Sequence, residues 1–293
     1  MRAPALAATR SAFADYLELT KPRITFLVML TALVGFVMGS PGRVSPLPLA
    51  AALLGTGLVA AGASALNMLM ERHTDALMWR TRSRPLPGGR LRPVEAASFG
   101  SLLSLTGLLE LEWLSGSLPA TVALVTWGTY LFLYTPLKTR TSLSTIVGAF
   151  PGALPPVIGW TAARGSLDHG AFVLFAILFL WQIPHFLAIG WIYREDYARG
   201  GLPMLPVLDT AGLMTGRQAV ANSVALLLVS LTPTAAGMTG SLYFAGALVL
   251  GVGFVGVALR AAVVRTLPAA RGLFLASLVY LTGICALLVV DRI

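Results

Sequence analysis

Residues 48 to 86 read PLAAALLGTGLVAAGASALNMLMERHTDALMWRTRSRPL. From Pro48 to Met70 no side chain is charged. At about 1.5 Å of rise per residue, a helix of that length crosses a hydrocarbon core of roughly 30 Å. The run then passes directly into a segment holding Glu71 and Asp75 together with Arg72, Arg80, Arg82 and Arg84. Packing does not call for such charge at the end of a membrane helix, and carboxylates at that depth are costly and mark function.

Outward from this stretch, eight more apolar runs have spanning length: residues 24–40, 95–114, 118–135, 142–163, 170–192, 219–237, 242–264 and 271–290. The chain is 56% hydrophobic and 11% charged, with a mean hydropathy of +0.80, far from the composition of a soluble domain. The expected fold class is therefore all-α: a polytopic membrane protein with a bundle of about nine transmembrane helices. One integral-membrane domain over residues 1–293, with no soluble module attached, is the expected organisation. The third and fourth runs are joined by a very short turn near Ser115–Leu118, and Pro151, Pro155 and Pro156 interrupt the fifth.

Lys and Arg set the expected orientation. They lie in the N-terminal tail (Arg2, Arg10, Lys21, Arg23) and at or after the ends of the second, fourth, sixth and eighth runs, leaving only Arg43, Arg164 and Arg292 for the opposite side. By the positive-inside rule the N-terminus, with residues 1–23 as a tail, is cytoplasmic and the C-terminus is outside. The formal charge of +9 is spread over short loops, so anionic lipid and an anionic substrate are the expected partners and nucleic acid is not. The single cysteine, Cys285, lies within the last run, which excludes an intrachain disulfide and a cysteine metal cluster. Residues 1–20 contain no apolar signal core, so the first span is expected to direct insertion. The first fourteen residues lack acids, a property shared with mitochondrial transit peptides, and that alternative stays open.

Asn67, Glu71 and Asp75 are spaced i, i+4, i+8 and form one stripe of oxygen donors on a helix. Such a stripe suits Mg²⁺, which is usually held by one or two carboxylates plus substrate phosphate oxygens. Arg80, Arg82 and Arg84 offer guanidinium forks to a diphosphate beside it, although the positive-inside rule alone also accounts for arginines at this place. A second charged site follows the sixth run in WQIPHFLAIGWIYREDYARGGLPMLP, where Gln182, His185, Ile189, Ile192 and Asp196 recur at helical spacing. YTPLKTRT places Lys138 and Arg140 after the fourth run, and TKPR places Lys21 and Arg23 before the first. Four charged elements at one membrane boundary fit a substrate with a diphosphate head and an apolar tail left in the lipid, the description of an isoprenyl diphosphate. The chemistry would be allylic ionisation, with the metal and arginines stabilising charge on the departing diphosphate. His185 lies deep in an apolar span where an imidazole needs a partner; either a haem iron or a hydrogen bond to Gln182 or a backbone carbonyl would satisfy it. Trp113, Trp160, Trp181 and Trp191 fall near span ends and fit an aromatic belt as well as a haem pocket.

The N-x-x-x-E-x-x-x-D stripe, RTRSRPLP, YTPLK and above all WQIPH followed by YREDYARGGLPMLP closely resemble the protohaem IX farnesyltransferase (haem O synthase) branch of the UbiA-type intramembrane prenyltransferase superfamily. The resemblance runs from TKPRIT near residue 20 to LPMLPV near residue 207 and extends to the nine-helix count. It implies transfer of a farnesyl group from farnesyl diphosphate to a vinyl carbon of haem b, giving haem O and diphosphate. That product feeds terminal oxidases directly or through haem A, so haem A synthase or a terminal-oxidase assembly is an implied partner, and a bacterial inner membrane the implied location. Carried over residue by residue, Asn67, Glu71, Asp75 and Asp196 are the implied catalytic and Mg²⁺-binding residues. Lys21, Arg23, Arg80, Arg82, Arg84, Lys138 and Arg194 are the implied diphosphate contacts, and His73, Gln182, His185 and Tyr193 the haem contacts. The chain departs from the pattern in having Glu71 where many relatives have Asp, and Ile192 where a second acid would precede Asp196. The alternatives are a prenyltransferase of the same fold acting on a quinone precursor or chlorophyllide, and, from another class, an organic-anion transporter built on related halves.

Overall fold

A computed structural model describes residues 11–293; Arg2, Arg10 and the rest of the first ten residues of the expected N-terminal tail lie outside it. Among the described residues nine helices are long and apolar enough to cross a membrane: Pro22–Gly39, Pro46–Met70, Pro93–Leu114, Ser117–Leu137, Ser144–Arg164, His169–Ile192, Leu213–Ala235, Ser241–Val264 and Leu267–Val290. They are spans one to nine below. The apolar runs located these spans, and most helices begin one or two residues before the runs do, the seventh and ninth by six and four residues. Proline explains part of this. Pro22, Pro46 and Pro93 each open a helix at its first position, where an N–H would be unpaired anyway and φ is already helical.

Two spans depart from regular helix where the prolines and aromatics lie. Span four passes through a π-helical turn, Thr129–Tyr134, before a last α-helical piece, Thr135–Leu137. Span five breaks at Leu154, between Ser144–Ala153 and Pro155–Arg164, because the Pro155 ring offers no donor for the preceding turn.

Where spans one and five cross, backbone meets backbone. A Cβ at Gly35 would overlap the Pro156 carbonyl, and one at Gly159 would overlap the Ala32 carbonyl. Small residues allow this because helices in lipid associate by close packing and not by hydrophobic exclusion. Polar cross-links are few: Trp127 Nε1 donates to Ser104 at 3.0 Å, and the Tyr243 hydroxyl to the Ser230 carbonyl at 2.8 Å. Large exposed apolar side chains such as Leu102, Phe132, Val249 and Val263 cover the outer faces.

Residues 12–20 are more than a tail. The helix Ala12–Leu19 buries Leu19 with Ala65, Met68, Leu86 and Ala96 in a small apolar cluster beside the end of span two. Arg90 bonds Asp15 at 2.8 Å and Glu18 at 3.4 Å, tying the loop after span two to this helix. Nine alternating spans put that loop, the end of span four and the loop after span six at one end of the bundle, the loop end.

Candidate active site at the loop end of the bundle

Span two stops at Met70, and Glu71 leaves helical geometry at φ −89°, ψ 3°. The hydrogen-bond ladder nevertheless carries across: Glu71 N–H donates to Asn67 and Asp75 N–H to Glu71, at 2.9 and 2.8 Å. The short helix Arg72–Leu77 therefore continues the same side, and the Asn67, Glu71, Asp75 stripe survives a break that spacing alone does not reveal. Thr81 Oγ1 donates to the Asp75 carbonyl at 2.9 Å and turns the loop back over the helix end.

Each oxygen donor in the stripe is matched to a cation from another element. Lys21 Nζ donates to Asn67 Oδ1 at 2.8 Å, Lys138 Nζ meets Glu71 Oε1 at 2.6 Å, and Arg84 Nη1 meets Asp75 Oδ2 at 2.7 Å. Asn67 spends its remaining donor on Thr135 Oγ1 at 3.0 Å. Asn67 and Asp75 are fully buried. Lys138 also lies 4.5 Å from the centroid of the Tyr134 ring, so the π-helical turn and the YTPLK motif together aim this lysine. All of these but the buried Asn67 line one cavity of about 410 Å³, into which Arg80 and Tyr197 also project and whose apolar lining includes Phe186, Ile189 and Met204.

The electrostatics of the cavity are those of a crowded cationic cluster. Burial pushes the Lys21 ammonium down to about 7, with Arg84 and Lys138 adding to the effect against the pull of Glu71. For Lys138 burial acts in the same direction, but its ion pair with Glu71 outweighs it and holds the ammonium well above the ordinary lysine range. Burial would raise the Glu71 carboxyl, yet Lys138 and Lys21 keep it below the usual carboxylate range. Lys21 also has a left-handed backbone, φ 47°, a conformation costing about 1–2 kcal/mol for a residue with a Cβ.

Other expected site residues are placed elsewhere. Asp196 is buried but does not join the stripe; its two oxygens accept the Trp79 and Arg80 backbone amides at 2.8 and 3.2 Å, with Arg199 at 3.4 Å. It thus folds the arginine loop against the short helix Arg194–Arg199. Arg194 and Tyr193 line a different cavity with Asp196. Arg23, His73 and Arg82 are exposed, Arg82 lying 4.0 Å over the Trp79 ring. The helical face expected from Gln182 to Asp196 is divided among neighbours. Gln182 donates to Ala149 at 3.2 Å on span five, Ile189 faces the main cavity, and His185 turns to span nine.

There His185 Nδ1 lies 2.7 Å from Ser277 Oγ, its ring stacked on Trp181 with centroids 4.8 Å apart. A hydroxyl thus fills the place expected for Gln182 or a carbonyl. Reading by motif missed Ser277, since span nine carries no motif, and passed over Thr135, although it stands inside the quoted YTPLK segment.

Among the described residues no three His, Cys, Asp or Glu side chains cluster as a self-sufficient metal cage. Two carboxylates and an amide oxygen beside four cations fit the other kind of site, in which a hard divalent cation shares its shell with substrate phosphate. A helical membrane bundle with an apolar-walled cavity ending in such a cluster defines an intramembrane enzyme acting on an amphiphile with a strongly anionic head.

Comparison places this class: the chain belongs to the UbiA prenyltransferase family, whose profile matches residues 28–287. It is 49% identical to the Protoheme IX farnesyltransferase of Solibacter usitatus (strain Ellin6076), over 95% of this chain and 98% of that one. It is 43% identical to the protein of the same name from Koribacter versatilis (strain Ellin345), over 95% and 93%. The fold is shared with a chain from a structural study of digeranylgeranylglyceryl phosphate synthase (TM-score 0.81, 16% identity, 95% and 98% covered). It is shared too with a UbiA homolog from Archaeoglobus fulgidus bound to DMAPP and Mg²⁺ (TM-score 0.69, 15% identity, 94% and 99% covered). The family resemblance read from WQIPH, YREDY and YTPLK is thereby upheld, and the chain is a multi-pass membrane prenyltransferase of bacterial type.

Proposed function

We propose that this protein transfers the farnesyl group of farnesyl diphosphate to a vinyl carbon of haem b. The C1–O bond of the donor breaks, a C–C bond forms to the vinyl group, water completes the hydroxyethylfarnesyl substituent with loss of a proton, and diphosphate leaves. The observation that carries this reading is near-full-length identity of 49% to a farnesyltransferase named for protohaem, in a chain whose charged cavity suits a diphosphate head. Lys21, Arg80, Arg84 and Lys138 are the diphosphate contacts in this reading, and the apolar cavity wall keeps water from the allylic cation. Asn67, Glu71 and Asp75 would hold Mg²⁺, which when bound supplies positive charge against the developing diphosphate. Lys138 and Arg84 hold the two carboxylates aimed through their ion pairs, and on substrate entry they are placed to turn from carboxylate to phosphate oxygens. The loop end faces the cytoplasm of the bacterial inner membrane, as the excess of Lys and Arg there favours.

Incubation of the purified protein in lipid with haem b, farnesyl diphosphate and Mg²⁺ should yield, by mass spectrometry of the extracted haem, a species heavier by one hydroxyfarnesyl unit. Unchanged haem, with diphosphate released only when a quinone precursor is supplied, would overturn the assignment of the acceptor. Lys138→Met should weaken binding of inorganic diphosphate about 10- to 100-fold, the worth of a hydrogen bond between charged partners; an unaltered inhibition constant would remove Lys138 from the site.

A further inference from the structure

Only two non-glycine residues among the described ones have a left-handed backbone, Lys21 at φ 47° and Arg265 at φ 52°. Both are cations and each lines a cavity at the loop end, on opposite flanks of the short helix Arg194–Arg199. Arg265 closes span eight, a position where glycine adopts this conformation without strain. From there Arg265 lines a second cavity of about 560 Å³ together with Arg194 and Arg199, within the size range of small-molecule sites, roughly 300–1,000 Å³.

None of the three guanidinium groups is well used within the protein. Arg194 stacks on Trp191, 4.9 Å from the ring centroid. Arg199 reaches Asp196 only at 3.4 Å, an oxygen already held by the Trp79 amide, and stands 5.3 Å from the Trp79 ring centroid. Arg265 touches carbonyls of Val263 and Ala211 at 3.4 Å. Trp191 and Arg265 also border a narrow apolar seam between spans six to nine, lined by small residues such as Ala188, Gly216 and Ala262. The arginine-lined cavity recognises a molecule with anionic groups at one edge.

We infer that this second cavity is the carboxylate site of the acceptor, in which Arg194, Arg199 and Arg265 bind the propionates of haem b; the inference rests on the farnesyl-transfer reading above. Charge balance favours carboxylates over a second diphosphate. Three arginines here face Glu195 and Asp196, an excess of one positive charge, whereas the first cavity sets four cations against two carboxylates. Holding the two anionic heads on opposite flanks of one helix keeps them from repelling each other. Arg194, read from sequence as a diphosphate contact, moves to the acceptor side.

The test is a cycle between protein charge and ligand charge. Binding of haem b and of its dimethyl ester, in which the carboxylates are masked, is followed by absorbance titration for the wild type, Arg194→Gln and Arg194→Gln/Arg265→Gln. Expected is a loss of about tenfold or more for haem b in the double variant, no difference between the proteins for the ester, and an unchanged KM for farnesyl diphosphate. The single variant, whose side chain stacks on the half-buried Trp191, guards against a folding defect at Arg265. Equal losses for haem b and ester, or a raised KM for farnesyl diphosphate, overturn the inference. So does unaltered haem binding with loss of co-purified phosphatidylglycerol, which would make the cavity a lipid-headgroup site. In either case a wild type that still prenylates haem leaves the function standing; a wild type that neither binds nor prenylates haem sinks the function as well.

Discussion

Asp75→Asn should lower the single-turnover rate of prenyl transfer at saturating Mg²⁺ by about 10²- to 10³-fold, roughly 2.7–4 kcal/mol of transition-state stabilisation. The substitution keeps the shape of a fully buried side chain and removes one of the two negative charges in the stripe. It also leaves Arg84, 2.7 Å away, without its counter-ion. Loss of a buried partner destabilises by about 3–5 kcal/mol when the remaining charge is sealed from water. Here Arg84 keeps partial exposure, so the smaller part of the effect should be structural. The double variant Asp75→Asn/Arg84→Gln separates the two. Thermal stability in detergent should recover in it while the rate stays low. A rate near wild type in Asp75→Asn, with the metal saturating, would remove this carboxylate from the catalytic cluster.

The second large effect concerns the fold. Gly159→Leu is expected to abolish monodisperse protein in detergent. Its Cβ would collide with the Ala32 carbonyl on span one, and a rigid backbone segment cannot yield as a flexible side chain does. Overpacking of a well-filled interior costs about 1–3 kcal/mol, and a shift of one span against another exceeds that range. Gly256→Leu is the matched control, since nothing lies within 4 Å of a Cβ at that position; its chromatographic profile should be that of the wild type. Equal behaviour of the two variants would mean that the contact between spans one and five does not set the packing of the bundle.

How far the chain could be read in advance follows from which interactions are local. Nine spans were legible because a membrane helix satisfies its own backbone and is announced by continuous apolar length. The break at Leu154 was legible in the prolines, and the Asn67, Glu71, Asp75 stripe in helical periodicity. Asp196 shows the opposite case. As a letter in YREDY it reads as a metal ligand; its oxygens instead hold the Trp79 and Arg80 amides, a contact across more than a hundred residues that no spacing encodes. Arg265 carries no motif and stands out only by its backbone angle and the cavity it borders. His185 was conspicuous as a polar residue in an apolar span, but its partner, Ser277, comes from span nine.

Sequence alone determined the membrane class, the number of spans, the cluster of charge at one end of the bundle and the kinship with intramembrane prenyltransferases. Each of these depends on composition, period or motif along a single segment. Tertiary structure decided which cation meets which oxygen, the division of the charged end into two cavities, and the loop-folding contacts of Asp196. These depend on distances between helices that are remote in the chain, and helix packing in lipid is set by small residues and a few polar contacts too sparse to leave a pattern.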